Sequence, residues 1–398
     1  MTAAARARER ALAASSATLR WAMYLFLASA CVSIAVNSLA LGLMALSWGV
    51  LMLLGRRWEP VATPLDWFFL AYVAAELCAT AFSVHPWESL VLARRVLLIG
   101  IVYCIASRVD TRAEAQRVTG ILLGAAVIVA LIGVAKLMLG GPGDNTRLGI
   151  FQFYMTTSQL MMIVLLLLVP FGLHPLAPRP VRIAALAAAI PVAVSLYATV
   201  TRGAYLAAAA GLLLIALVRS WKLVFPLIVI ILCVILFAPP YVTDRLHSIV
   251  DIHHPENASR ILLWSTGLKI FQDHPVTGVG DIDLGELLRQ YAPPGYSGQW
   301  GHLHNVAMHV LVTLGVAGLT AVTALFIRIG VVEWRIYRAV RDDWFRGSLA
   351  LGAFAAFIGF QVNGLTEWSF GNQTVVVLVW VTVGLALALD RMGAGETA

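Results

Sequence analysis

Apolar residues along this chain come in runs of about 17 to 25, the length a helix needs to cross the hydrocarbon core of a bilayer. Short breaks rich in Arg, Gly and Pro separate them. Twelve such runs can be placed, at approximately 21–36, 38–55, 67–84, 88–106, 117–139, 152–173, 183–200, 204–218, 223–239, 303–327, 347–362 and 374–390. The pattern predicts an all-α, polytopic membrane protein of about 12 transmembrane helices. It forms a single integral membrane domain over 1–398, with one large loop, 240–302, between the ninth and tenth spans.

A loop that long is usually functional. Inside it, Asn257 or Ser259 can cap a helix running to about Phe271, and Ile261, Trp264, Leu268 and Phe271 then share one face. That helix is expected to lie on the membrane surface. His274-Pro275-Val276-Thr277-Gly278-Val279-Gly280 ends it, because proline resists helix continuation and glycine permits turn geometry. A second short helix is expected from Asp283 to Tyr291, followed by a movable stretch, Ala292 to Gly301, rich in Pro and Gly.

Composition agrees with a membrane protein: 60% of residues are hydrophobic and 12% charged, against about 25% charged in soluble domains. The net charge of +7 does not point to nucleic acid, since the basic residues sit at span ends, where topology and anionic headgroups account for them. Cys31, Cys78, Cys104 and Cys233 lie inside apolar runs and outside any C-x-x-C motif, so they read as buried free thiols. The basic N-terminal stretch and first apolar run resemble a signal peptide, but an uncleaved first span keeps the charge pattern consistent down the chain.

With the N-terminus inside, the positive-inside rule accounts for most of the 28 Lys and Arg residues. It leaves nine on the outer side or within spans: Arg94, Arg95, Lys136, Arg147, Arg202, Arg245, Arg260, Lys269 and Arg289. An even number of spans puts both termini in the cytoplasm. Arginine holds phosphate through a planar, bidentate fork, so a set of arginines at the outer face suggests a lipid-linked phosphate or pyrophosphate. Arg202 stands out in Thr201-Arg202-Gly203-Ala204-Tyr205, a tight break between two spans. Arg147 lies in the loop before the sixth span, where it can equally be an interfacial anchor. Arg94 and Arg95 lie within the fourth span, where charge is costly, so they are expected to face protein or water, with Glu76 at a similar depth as a candidate ion-pair partner.

Gly301-His302-Leu303-His304-Asn305 stands where the long loop re-enters the membrane. A histidine there can exchange a proton near neutral pH, and Asn305 can orient the ring or a substrate. The alternative is a polar pair that merely caps the tenth span. Position alone does not choose between His302 and His304. A zinc site drawing on these and His309, His253, His254 or His274 is disfavoured because no H-E-x-x-H-like spacing is present. Asp281-Ile282-Asp283 has the form of a metal-holding D-x-D element, and helix capping explains it at least as well.

Taken together, Arg-x-Gly-x-Phe at 147–151, Thr-Arg-Gly-Ala at 201–204, Arg260 with Trp264, His274-Pro275-x-x-Gly278-Val279-Gly280, and His302-x-His304-Asn305 followed by Leu314-Gly315-Val316-Ala317-Gly318 resemble the O-antigen ligase and polymerase superfamily. The resemblance covers most of 140–325. It implies a metal-independent glycosyltransferase of the bacterial inner membrane, without nucleotide or cofactor, working at the periplasmic face. The implied donor is a glycan on undecaprenyl pyrophosphate and, in the ligase branch, the acceptor is lipid A-core. Membrane lipids are the surroundings, and no nucleic acid is involved. It further implies His304, with His302 beside it, as the catalytic pair and Arg202, Arg260 and Arg147 as pyrophosphate ligands. Supporting roles fall to Asn305, Arg94, Arg95 and the aromatic faces of Tyr296 and Trp300. An O-unit polymerase and a protein O-oligosaccharyltransferase share the architecture. A twelve-span secondary transporter is the alternative of another class, against which stand the lack of matching halves and the placement of the polar cluster at one face.

Overall fold

A computed structural model describes residues 3–56, 59–140, 147–249, 251, 253–294 and 300–396. Sixteen α-helices follow one another along the described residues: α1 (Ala3–Ser29), α2 (Ile34–Gly55), α3 (Asp66–Ala81), α4 (Pro86–Ala93), α5 (Ile99–Arg108), α6 (Arg112–Gly140), α7 (Tyr154–Leu173), α8 (Arg179–Ala198), α9 (Arg202–Arg219), α10 (Val224–Leu236), α11 (Pro240–His247), α12 (Pro255–Asp273), α13 (Gly285–Tyr291), α14 (Val306–Val340), α15 (Trp344–Gly364) and α16 (Gln373–Glu396). The fold is all-α and polytopic, with α7, α15 and α16 forming the buried centre.

Among the described residues, ten stretches of helix are long and apolar enough to cross a membrane, or eleven when Trp221–Leu236 and Pro240–His247, bent by 116°, are taken as one. The difference from the twelve apolar runs has physical reasons. At 16 residues, α3 spans about 24 Å at the usual helical rise, short of the roughly 30 Å hydrocarbon core. The ninth run turns sharply at Phe237 to Pro239, because Pro239 and Pro240 cannot continue a helix. The first run does not form one span from 21 to 36. α1 includes much of the basic tail and ends at Ser29, and Ser33 caps α2 while the Asn37 amide donates to the Phe26 carbonyl at 2.8 Å. The basic stretch Arg328 to Arg338, expected in a loop, is helical through Val340. Of the four thiols, Cys31 and Cys104 are buried, whereas Cys78 and Cys233 lie exposed on helix surfaces.

α14 is broken rather than continuous. Gly315 has φ 66° and ψ −168°, conformations that remove it from the helical ladder. The carbonyls this frees, Val312 and Thr313, accept from the amides of Val279 and Gly280 at 3.0 and 2.9 Å, and the freed amides of Val316 and Ala317 donate to the carbonyls of Pro275 and Val276 at 3.0 and 3.3 Å. A helix interrupted at membrane depth must have its backbone groups satisfied by protein, and the Pro275–Gly280 loop does this. A Cβ on Gly278 would strike the Thr313 backbone and one on Gly315 the Val276 backbone, which explains both glycines.

A second core, Leu263, Ile270, Val279, Ile282, Leu284, Leu288, Leu303 and Val312, fixes α12, α13 and this loop to α14. The buried face of α12 carries Leu263, Thr266, Gly267 and Ile270; of the expected face, Trp264 and Phe271 pack against the second core, whereas Ile261 and Leu268 stay on the surface. The cap is His254, whose Nδ1 accepts from the Glu256 amide at 3.3 Å, and neither Asn257 nor Ser259 serves.

Candidate active site

The break between α8 and α9 brings Arg202 to one end of the bundle. Val200 takes a positive φ of 49°, turning the chain so that α9 starts at Arg202 itself. Gly203 leaves room there, since a Cβ would lie 2.5 Å from the Thr366 hydroxyl and 3.4 Å from Asn363 Oδ1. The Arg202 guanidinium, 9% exposed as a residue, donates to the Ser248 carbonyl at 2.9 Å, its hydroxyl at 2.6 Å and Asn257 Oδ1 at 2.5 Å.

Three arginines meet on Glu256 in the first turn of α12. Arg245 hydrogen-bonds it at 2.7 Å, Arg202 lies 3.4 Å away and Arg147 3.7 Å. Burial pushes the Glu256 carboxyl up, but the Arg245 hydrogen bond and charge, with the charges of Arg202 and Arg260, outweigh it and hold the group below its ordinary range. Arg147 is further fixed by Tyr154, donating to its hydroxyl at 2.6 Å with its guanidinium 4.7 Å over the ring.

Beside this cluster, Glu367 bridges two of the expected residues. Its Oε1 accepts from Arg260 at 2.8 Å and its Oε2 lies 3.1 Å from His304 Nδ1. Glu367 and His304 are 6% and 4% exposed, so the pair is shielded from bulk water. His304 has a positive φ of 47°. Leu303, fully buried in the second core and held by Trp264 Nε1 donating to its carbonyl at 2.8 Å, anchors the segment from between the two histidines.

The geometry separates His302 from His304. Only His304 has a carboxylate on its ring. His302 Nδ1 accepts from the His304 amide at 3.4 Å, and the two rings lie 4.2 Å apart. Burial, reinforced by His304, pushes His302 down to about 4 in spite of the opposing charges of Glu367 and Asp283, so it is neutral near pH 7. Trp300 sets its ring edge-on to His304 at 4.7 Å and is 45% exposed. Tyr296 falls outside the described residues.

Other expected residues are placed elsewhere or occupied. Asn305 caps α14, accepting from the Met308 amide at 2.9 Å, and donates to the Leu365 carbonyl at 2.9 Å, so it orients the helix and not the histidine ring. Arg94 and Arg95 sit in a 3-10 turn, Arg94–Leu98, between α4 and α5. Arg94 is exposed, and of the two only Arg95 turns toward protein. Arg95 pairs with Asp281 and stacks 5.6 Å over Trp368, while Glu76, its expected partner, lines the same small cavity with Oε1 unbonded. Asp281 is thus spent on an ion pair, and Asp283 accepts from the Gly285 amide at 2.7 Å at the start of α13. Among the described residues, no three His, Cys, Asp or Glu side chains are grouped to hold a metal.

Sequence reasoning did not single out Glu256 or Glu367. Glu256 follows His253-His254-Pro255, an acid opening a loop helix; Glu367 lies in Gly364-Leu365-Thr366-Glu367-Trp368, an acid at the end of an apolar run. An acid at the same face as unexplained arginines was the available signal.

A family model described as O-antigen ligase matches residues 184–323. Over that stretch the chain is similar to the O-antigen ligase family. The many apolar helices make the chain a multi-pass membrane protein, and the matched stretch holds Arg202, Arg245, Glu256, Arg260, His302, His304 and the break in α14. Arg147 and Glu367 lie outside that stretch. Among curated proteins, none matches the chain.

Proposed function

We propose that the protein is an O-antigen ligase of the bacterial inner membrane. It joins a glycan carried on undecaprenyl pyrophosphate to lipid A-core at the periplasmic face, with both termini in the cytoplasm. The observation that carries this reading is the line Arg260, Glu367, His304 set against the Arg147, Arg202, Arg245 cluster at one end of the bundle. Four guanidinium groups face two carboxylates there, and the surplus positive charge suits a pyrophosphate.

His304 acts as general base. With Nδ1 hydrogen-bonded to Glu367, the ring presents Nε2 to the acceptor, and the carboxylate stabilises the imidazolium that forms. Nε2 takes the proton of the acceptor hydroxyl as its oxygen attacks the anomeric carbon. The bond from that carbon to the pyrophosphate oxygen breaks, and undecaprenyl pyrophosphate leaves with the electron pair. A single displacement inverts the anomeric configuration. Arg202, Arg260 and Arg147 stabilise the charge growing on the leaving group, a preorganised electrostatic contribution that takes the place a divalent cation has in other transferases. Trp300, half-exposed beside His304, offers a stacking face to a sugar.

The test is reconstitution of the purified protein with lipid-linked glycan and lipid A-core, the joined product being read on a gel. A ligase leaves the donor length unchanged until lipid A-core is added. Elongation of lipid-linked O-units without that acceptor would make the protein a polymerase.

A further inference from the structure

Glu256 is the point on which the arginines converge, and the chemistry above gives it no part. Its side chain is 45% exposed, whereas those of Arg202, Arg147 and Arg245 are 10, 18 and 21% exposed. The carboxylate therefore stands on the open side of the cluster, between the guanidinium groups and anything that approaches them. Two of the three arginines have neutral anchors besides Glu256: Arg202 on Ser248 and Asn257, and Arg147 on Tyr154. They stay in place if the carboxylate moves off. A carboxylate and a phosphoryl group present the same thing to a guanidinium fork, paired anionic oxygens.

We propose, on the reading of these arginines as pyrophosphate ligands, that Glu256 is an internal stand-in for the donor: its carboxylate occupies the anion position in the unliganded protein and yields it to the pyrophosphate. While it is there it relieves repulsion among the like-charged arginines, which would otherwise be crowded without a counter-ion. The same carboxylate competes with the ligand, lowering affinity for donor, and by returning it helps displace undecaprenyl pyrophosphate after transfer. A purely structural Glu256 makes the opposite prediction, because arginines deprived of their positioning acid would bind an anion less well.

The experiment uses the full chain in lipid nanodiscs, with inorganic pyrophosphate titrated calorimetrically and transfer kinetics measured in parallel. Wild-type protein that does not bind pyrophosphate refutes the ligand reading itself. Given binding, Glu256→Gln is expected to bind pyrophosphate about tenfold more tightly, with KM for lipid-linked donor lowered and kcat unchanged or reduced as product leaves more slowly. Equal or weaker binding, or a raised KM, overturns the proposal. Glu256→Asp retains the charge and should bind as wild type does; tightening there equal to that of the amide would also overturn it. Should Glu256→Gln not fold, Glu256→Ala removes the same charge and must show the same tightening.

Discussion

Replacing Glu367 with Gln is the sharpest perturbation of the proposed base. The amide keeps the length and shape of the side chain, so the second-core anchor at Leu303 and the cap at Asn305 are untouched. What changes is the chemistry at two contacts, 3.1 Å to His304 Nδ1 and 2.8 Å to Arg260. A carboxylate only accepts, which requires the proton of neutral His304 on Nδ1 and frees Nε2 as the basic nitrogen. Gln can donate to Nδ1, which fixes the other tautomer and puts a proton where the acceptor hydroxyl needs a lone pair. The corresponding amide substitution in the serine protease triad, a worked case of the same logic, lowers turnover about 10⁴-fold, and a general base contributes roughly 10² to 10⁴. Glu367→Gln should therefore lower transfer at saturating donor by about 10² to 10⁴, with pyrophosphate binding changed far less, because Arg202 and Arg147 do not touch Glu367 and the Gln amide oxygen still accepts from Arg260. Initial rates in the reconstituted assay, beside calorimetric binding, separate the two. Transfer within tenfold of wild type would refute the assignment of Glu367 as the orienting group, and with it the argument for His304 over His302.

His304→Ala should bind pyrophosphate yet transfer at least about 100-fold more slowly in the same assay. Arg202→Lys and Arg260→Lys keep the charge but lose the planar fork, so both should be severely impaired in initial-rate measurements; full activity in both would sink bidentate recognition. Gly315→Ala forces a side chain into the Val276 backbone at a positive φ, and should cost at least the roughly 1 to 3 kcal/mol of a strained backbone, read as a lowered melting temperature in detergent. His302, held down to about 4 from an ordinary 6.5, contributes stability that is fully present above pH 6.5 and lost as the pH falls toward 4, because the unfolded state then binds the extra proton. The melting temperature of wild type should fall toward that of His302→Gln across this window, and a difference that does not change with pH would contradict the burial argument.

The arginines of the candidate site stood out as charge placed against expectation. Arg147, Arg202 and Arg260 were conspicuous because topology gave them no reason to be there, and the structure brings all three to one end of the bundle. Their carboxylate partners carried a weaker signal: an acid at the same face breaks no rule, and Glu256 and Glu367 are joined to the arginines across separations that only tertiary packing closes. Arg95 shows the same limit, since depth in the span pointed to Glu76 while the partner, Asp281, comes from a loop nearly two hundred residues later. Helix positions followed from hydropathy, but the breaks at Gly315 and Arg94–Leu98 did not, because apolar side chains continue through both and only the backbone departs.

The stitching of Pro275–Gly280 into the gap in α14 sets where this family of loops is free to change length. An added residue between Pro275 and Asp283 would shift the four backbone bonds to Val312, Thr313, Val316 and Ala317 out of register and leave helical carbonyls bare in an apolar setting. The second core adds its own limit, since Leu263, Ile270, Leu284 and Leu288 tie α12 and α13 to the same stretch of chain. A chimera that swaps the long loop between related proteins should therefore keep residues 275–283 together with the α14 they are stitched into.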